Sequence, residues 1–327
     1  MTDLSQPTAA HLTQHDLPRV MRATHQGESL LEALPRLQAD IEATLLTVGG
    51  VLLRGFDVGG PEGFRAFAAG FGHPLLTYEF GSTPRSQVTG GVYTSTEYPA
   101  HQSIPLHNEQ AYTRDWPMKI WFYCETAAPV GGETPIADSR AIYRAVDAGT
   151  RERFASRGLM YVRNYGNGLD VPWQQVFNTE DRAEVEAYCA RHQIACEWKD
   201  DGELRTRQHV QGVAAHPVTG EHVWFNQAHL FHASALTEEM REVLVDAVGA
   251  DNLPRDVFYG DGTPIPDAEL DAVRGVLEAH KIVFPWQQGD VVMLDNMLTA
   301  HAREPFSGPR KVVVAMAQAH GANHGAG

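Results

Sequence analysis

Cysteine and basic residues are both scarce in this chain. The three cysteines among 327 residues, Cys124, Cys189 and Cys196, show no paired metal-knuckle spacing. An odd number also makes a poor disulfide framework, so they read as reduced thiols. Lysine and arginine number 26 against 41 aspartate and glutamate, a formal charge of −15. Nucleic acid is therefore not an expected partner, because phosphate-backbone binding needs clustered cations to displace counterions. No apolar run is long enough to cross a bilayer, so no membrane association is expected. Met1 to Thr13 has neither the basic start nor the apolar block of a secretory leader, and a cytoplasmic location is the default. No internal repeat is visible, and only Gly321 to Gly327 looks like a low-complexity tail.

The composition that remains, 43% hydrophobic and 20% charged, fits a folded soluble protein. The length permits one elaborated domain, drawn here as an N-terminal segment 1–20, a single domain 21–318 and a flexible tail 319–327. Leu30, Leu31, Leu34, Leu37, Ile41, Leu45 and Leu46 recur at helical intervals, and Gly49 and Gly50 stop that helix. Val51 to Leu53, Ile120 to Tyr123, Leu159 to Arg163, His222 to Phe225, Val291 to Leu294 and Lys311 to Ala317 read as strands. Helical patterns near Pro61 to Ala69, Ser139 to Asp147, Thr179 to His192, Thr237 to Val248 and Pro266 to His280 read as additions around a sheet. Periodicity alone supports a mixed α/β, strand-rich fold.

The chemical signal is His107-Asn108-Glu109 with a distant His301. On a strand, residues i and i+2 project to one face, so His107 and Glu109 would point together and Asn108 away. Two imidazoles and a carboxylate on one side of iron(II) leave positions open for a cosubstrate and dioxygen, unlike a closed structural site. An isolated His-x-Glu is more often surface or core polarity; the distant motifs are what favour metal. His216, His222, His229 and His232 are read as packing or hydrogen-bonding residues, since 16 histidines make chance proximity common.

With these residues in hand, the chain resembles the taurine dioxygenase-like (TauD/TfdA) superfamily of Fe(II)/2-oxoglutarate oxygenases. The clavaminate-synthase-like branch, which has glutamate in the metal motif, is the nearest in pattern. The resemblance is carried by VLLRGF, LHNEQAY, GGETPIADSR, GDVVMLDNMLTAH and GPRKVVVAM and spans Val51 to Ala317. It implies a double-stranded β-helix, or jelly roll, core with helical insertions. It also implies that His107, Glu109 and His301 ligate Fe(II), with 2-oxoglutarate and O2 as cosubstrates. Thr134 of GGET and Arg310 of GPRK match the contacts to the distal carboxylate of 2-oxoglutarate, with Arg303 as a nearby competitor. Arginine suits that role because its planar fork gives two charge-assisted bonds. The further arginine of some relatives, four residues after the cosubstrate arginine, is Val314 here, which argues against a taurine-like sulfonate.

The implied activity is hydroxylation of an unactivated carbon of a small molecule in secondary metabolism. An amino acid or amino-acid-derived metabolite is the expected substrate, free or presented on a carrier protein. Desaturation or cyclisation at the same iron is the alternative chemistry, and a non-catalytic jelly-roll metal- or ligand-binding protein the alternative class. Gln110, Arg163 and Asn226 are candidate substrate contacts, and Asn164 to Asn178 reads either as a mobile lid with aromatic walls or as a fixed loop. Oligomeric state, substrate identity and stereochemistry are not encoded in any motif.

Overall fold

The computed structural model describes residues 16–77, 85–95, 98–166, 168–199 and 202–321. The leader reading of Met1 to Thr13 and residues 322–327 of the expected tail lie outside them. Among the described residues no helix is long and apolar enough to cross a membrane.

Two sheets face each other. The larger has seven strands, with the Val291–Asp295 and Asp115–Thr126 strands near its centre, flanked by Gly50–Arg54 and Lys311–Gly321. These strands read as near-continuous apolar runs because both of their faces are buried. One face, with Val51, Leu53, Trp121, Tyr123, Met293 and Val313, packs under the helices Leu30–Thr47 and Gly60–Ala69. The alternate residues Leu52, Ile120, Phe122, Val292, Val312 and Val314 form the inner face. The helix Leu30–Thr47 starts at Ser29, whose side chain accepts from the Glu32 amide, and closes on Val48. Gly49 follows at φ +100°, with its would-be Cβ position 2.4 Å from Thr299 Oγ1, so the chain turns there into the sheet. Gly50 already belongs to the strand rather than stopping the helix.

The smaller sheet has three strands in the order Ile104–His107, Thr299–Arg303, Ile136–Asp138. Its outer face, with Leu106, Ala137, Ala300 and Ala302, packs against a separate cluster built by the segment from Ser139 to Leu277. That segment carries its own four-stranded sheet, in which Leu159–Tyr165 lies between Leu204–Val210 and Arg255–Tyr259. The helical additions expected from periodicity are thus joined by a strand layer that the sequence reading only partly anticipated.

Two boundaries differ from expectation. Arg19–Arg22 pairs in parallel with Leu52 and its neighbours, so the segment 1–20 runs into the main sheet. The last strand carries Ala319, His320 and Gly321 onto Pro117, Trp116 and Asp115, so the tail cannot begin at 319. Backbone pairing decides both, and side-chain periodicity does not register it. The lid segment, where described, is tied down. Asn164 and Tyr165 finish a strand, Trp173–Phe177 is helical, Trp173 meets Trp198 edge-on at 5.1 Å, and both oxygens of Asp170 accept from Arg255 at 2.6 Å.

Candidate active site

His107 and His301 are directly opposite one another across the small sheet, as antiparallel Cα partners with ring centroids 4.4 Å apart. The strand register brings together two residues that are far apart in sequence, on the face turned toward Phe122 of the large sheet, whose ring lies 4.9 Å from that of His301. The His107 strand ends at His107, however, and Glu109 stands in a turn. The simple i, i+2 strand argument therefore does not account for its position.

Asn296 does. Its Oδ1 accepts from the Glu109 amide at 2.7 Å, and its Nδ2 donates to the carbonyls of Glu109 at 2.9 Å and Pro117 at 2.8 Å. Asn108 points away from the site, donating to Ser139 Oγ and the Asn296 carbonyl. Gln227 holds the Asn108 carbonyl, and Gln110 takes up φ 56° to complete the turn. Asp295 in turn accepts from the amides of Met297 and Leu298, fixing the reversal that leads to the His301 strand. Asn296 lay within the DNMLTAH motif, but no spacing rule marks a residue whose partner is 187 positions away. Asn296→Ala should lower metal affinity by about 10–100-fold, the usual cost of removing an outer partner that orients a ligand. Calorimetric titration with Mn(II) would measure it, with unchanged affinity as the contrary result.

The donor atoms of His107, Glu109 and His301 all lie within 4.8 Å of one another. His301 Nε2 is 3.8 Å from Glu109 Oε2. His107 Nδ1 donates to the Pro105 carbonyl at 2.8 Å, which fixes the tautomer and leaves Nε2 with its lone pair. Burial holds the pKa of His107 below its ordinary value and that of His301 well below, so both rings are neutral near pH 7. A pair of neutral imidazoles with one buried carboxylate suits a divalent cation of intermediate softness.

One cavity joins the two histidines to Thr134, Ser95, Arg85, Arg303 and Arg310. Thr134 Oγ1 accepts from Trp286 Nε1 at 3.0 Å, which leaves its hydroxyl proton to donate elsewhere. Arg310 donates through Nε to the Gly132 carbonyl at 2.8 Å and through Nη1 to Ser95 Oγ at 3.3 Å. Gly132 has φ +75°, and a Cβ there would lie 2.9 Å from Arg310 Cδ, so the second glycine of GGET makes room for this side chain. Burial and nearby Arg303 push the pKa of Arg310 down to about 10, and it stays charged. The competitor Arg303 is engaged with the backbone, donating to the carbonyls of Tyr98, Pro99 and Gln102. Phe306 lies between the two, 5.4 Å from each guanidinium.

The three candidate substrate contacts fall elsewhere. Gln110 lines a different cavity, with Thr113, Asp115 and Gln208. Asn226 donates to the Gly212 carbonyl and accepts from the Ala228 amide, which is a structural use. Arg163 is buried in the four-stranded sheet, 4.9 Å from the Tyr165 ring centroid. Arg85, absent from the sequence reading, donates to Glu109 Oε2 at 2.7 Å with both side chains buried. No motif marks it; it lies just before the short strand Gln87–Thr89.

The other histidines serve packing and hydrogen bonding, as expected. His216 bonds Asp295, His222 stacks on Tyr143, and His232 pairs with Ser234. His229 donates from Nε2 to the Leu106 carbonyl, beside His107, and burial pushes its pKa down to about 3 from the ordinary 6.5. Its unfolded form takes up a proton below pH 6.5 while its folded form does not. The stability it contributes is therefore complete above 6.5 and is lost as pH falls toward 3, by up to about 1.4 kcal/mol per pH unit. Urea midpoints measured from pH 7 to 4 should fall, and His229→Gln should flatten the decline; an identical slope in the variant would contradict this.

A family model described as taurine catabolism dioxygenase TauD, TfdA family, matches residues 9–316. The chain belongs to that family. It is a 2-oxoglutarate-dependent non-heme iron dioxygenase using Fe(II), 2-oxoglutarate and O2, and the His107, Glu109 and His301 cluster has the donor set such an ion requires. Among curated TauD/TfdA relatives, the dapdiamide synthesis protein DdaC of Enterobacter agglomerans is 42% identical over 276 residues, covering 84% of each chain. A clavaminate synthase-like protein of Arabidopsis thaliana is 34% identical over 288 residues, covering 84% of this chain and 83% of that one. The jelly-roll fold is shared with PvcB of Pseudomonas aeruginosa at a TM-score of 0.54 and 16% identity, over 93% of this chain and 87% of PvcB.

Proposed function

We propose that this oxygenase hydroxylates an unactivated carbon of a small amino-acid-derived molecule, free or presented by a carrier protein, in the cytoplasm. The observation that carries the reading is the single cavity in which the opposed histidines meet Thr134 and Arg310. The substrate class is supported by the 42% identity to a protein named for dapdiamide synthesis. The three free cysteines accord with a reducing compartment, Cys124 and Cys189 having thiol pKa values pushed up to about 12 by burial.

In this reading His107, Glu109 and His301 hold the ferrous ion from one side. Arg310 and the Thr134 hydroxyl take the distal carboxylate of 2-oxoglutarate, the guanidinium being held in place by Gly132 and Ser95. When bound, the metal and cosubstrate supply the oxidation, coupled to release of succinate and carbon dioxide. Ile104, Phe122 and Val312 give the cavity an apolar wall that limits water. Substrate positioning then selects which carbon–hydrogen bond reacts.

The test has two stages. Anaerobic addition of Fe(II) and 2-oxoglutarate should give a weak visible charge-transfer band. Amino acids and their pantetheine thioesters, screened with O2 by mass spectrometry, should then yield a product heavier by one oxygen, coupled to succinate. A product lighter by two hydrogens would establish desaturation instead, and no substrate-dependent succinate across the panel would refute the reading.

A further inference from the structure

Gln208 is a polar side chain on the buried face of a strand. It lies in Leu204–Val210, whose alternate residues Leu204, Thr206 and Val210 are buried with it, and it pairs with Tyr161 on one side and Ile194 on the other. Its Nε2 donates to the His192 carbonyl at 3.1 Å, which fixes the orientation of the amide, because the flipped form would set two acceptors against each other. Oε1 is left buried with no hydrogen-bond donor, on a residue only 5% exposed. A buried acceptor without a partner is costly, so it points to a ligand that supplies the missing donor.

Gln208 lines a second cavity of about 180 Å³, apart from the one that holds the opposed histidines. That is far more than the roughly 10–15 Å³ that a single water needs. Trp116 lines the same cavity, is 9% exposed, and has an Nε1 that lacks an acceptor. Leu76 and Ile194 give apolar sides, Leu76 being pinned by its amide to the Met316 carbonyl at 2.8 Å. Among the described residues lining the cavity the one carboxylate, Asp115, lies 3.2 Å from His192 Nδ1, and none is lysine or arginine. An orphaned acceptor and an orphaned donor fit a neutral group that carries both N–H and C=O. A carboxylate there would turn lone pairs toward Gln208 Oε1 and would lose its hydration without gaining a counter-charge.

The cavity adjoins the metal site through the backbone. Gln110 lines it and directly follows Glu109, and consecutive Cα atoms are about 3.8 Å apart. Gln110 holds φ 56°, and its carbonyl accepts from the Thr113 amide at 3.0 Å, so the turn that carries Glu109 also forms a wall of this cavity. We infer that the cavity is a second anchoring point for the substrate, where a carboxamide donates to Gln208 Oε1 and accepts from Trp116 Nε1, with Gln208 as a specificity-determining residue. The substrate then bears an amide group remote from the carbon that reacts. This rests on the proposed oxygenase reading of the metal cavity.

The experiment uses the full chain loaded with Mn(II) and 2-oxoglutarate. Five probes, L-asparagine, L-aspartate, L-glutamine, L-glutamate and L-ornithine, are titrated free and as pantetheine thioesters, against wild type, Gln208→Met and Gln208→Glu. At least one amide should bind wild type about 10-fold or more tightly than its acid and than L-ornithine. Gln208→Met keeps the length of the side chain without the acceptor and should lose that preference, while its affinities for Mn(II) and 2-oxoglutarate stay at wild-type values. Gln208→Glu keeps an acceptor and adds charge, so it should shift preference from the amides toward L-ornithine, and it decides the matter if Gln208→Met does not fold. Equal binding of amide and acid by wild type, tighter binding of L-ornithine than of either amide, or no binding of any amide would overturn the inference. An unchanged preference in both variants would overturn it as well. Failure of wild type to bind Mn(II) and 2-oxoglutarate at all would instead refute the parent reading.

Discussion

Glu109→Ala should abolish coupled turnover, with succinate formation falling by more than the roughly 100-fold upper range for loss of an outer-sphere partner. Glu109 is the anionic member of the triad and the one whose oxygen is shared between His301 and Arg85. Its removal leaves two neutral imidazoles to hold a dication beside a buried guanidinium, so both the attraction and the charge compensation are lost. The effect should appear first in binding, as loss of Mn(II) affinity in calorimetry and of the anaerobic charge-transfer band. The circular dichroism spectrum should be retained, because Asn296 holds residue 109 through its backbone. Glu109→Asp should keep partial activity, since a shorter carboxylate preserves the hard oxygen donor while losing reach. Wild-type rates in Glu109→Ala would show that the triad does not carry the chemistry.

The second large effect concerns stability. Arg54 and Asp290 are joined by two bonds, Nε to Oδ1 at 2.9 Å and Nη2 to Oδ2 at 2.6 Å, with side chains 5% and 1% exposed. Arg54 also donates to the Pro285 carbonyl, and Asp290 Oδ2 accepts from the Gln287 amide. The pair ties the end of the Gly50–Arg54 strand to the start of Val291–Asp295, which then turns through Asn296 into the His301 strand. Asp290→Ala leaves a buried guanidinium without its counter-charge and should cost about 3–5 kcal/mol. In thermal unfolding that is a fall in Tm of about 10 °C. Replacing both partners, as Arg54→Met with Asp290→Leu, should recover more than half of the loss, because the desolvation cost disappears along with the attraction. A single variant within about 1 kcal/mol of wild type would mean that water reaches the pair.

Much of this architecture can be read from side-chain chemistry alone. The helix at Leu30–Thr47 is announced by its leucine spacing, and the central strands by apolar runs buried on both faces. His107, Thr134, His301 and Arg310 are conspicuous because each lies in a short motif whose residue types make chemical sense together. Arg85 and Asn296 are as close to the metal ligands, yet nothing local distinguishes them from any other arginine or asparagine. The candidate contacts Gln110, Arg163 and Asn226 show the opposite case. They are polar residues near suggestive motifs, but Asn226 bonds the Gly212 carbonyl and the Ala228 amide, and Arg163 is enclosed by strands of the insertion.

What the sequence by itself determined is a candidate metal donor set, two imidazoles and a carboxylate, because ligand chemistry resides in residue types, whereas the arginine and threonine expected at the cosubstrate came from the resemblance. It also determined the apolar alternation that builds a strand-rich core, because side-chain transfer from water depends on local pattern. Only the tertiary structure decided that His107 and His301 stand opposite each other in one register, that Asn296 rather than strand pleating sets Glu109, and that Arg85 bears on its carboxylate. The physical reason is that strand pairing and buried ion pairs join residues distant along the chain, through distances and shared desolvation that no local pattern encodes.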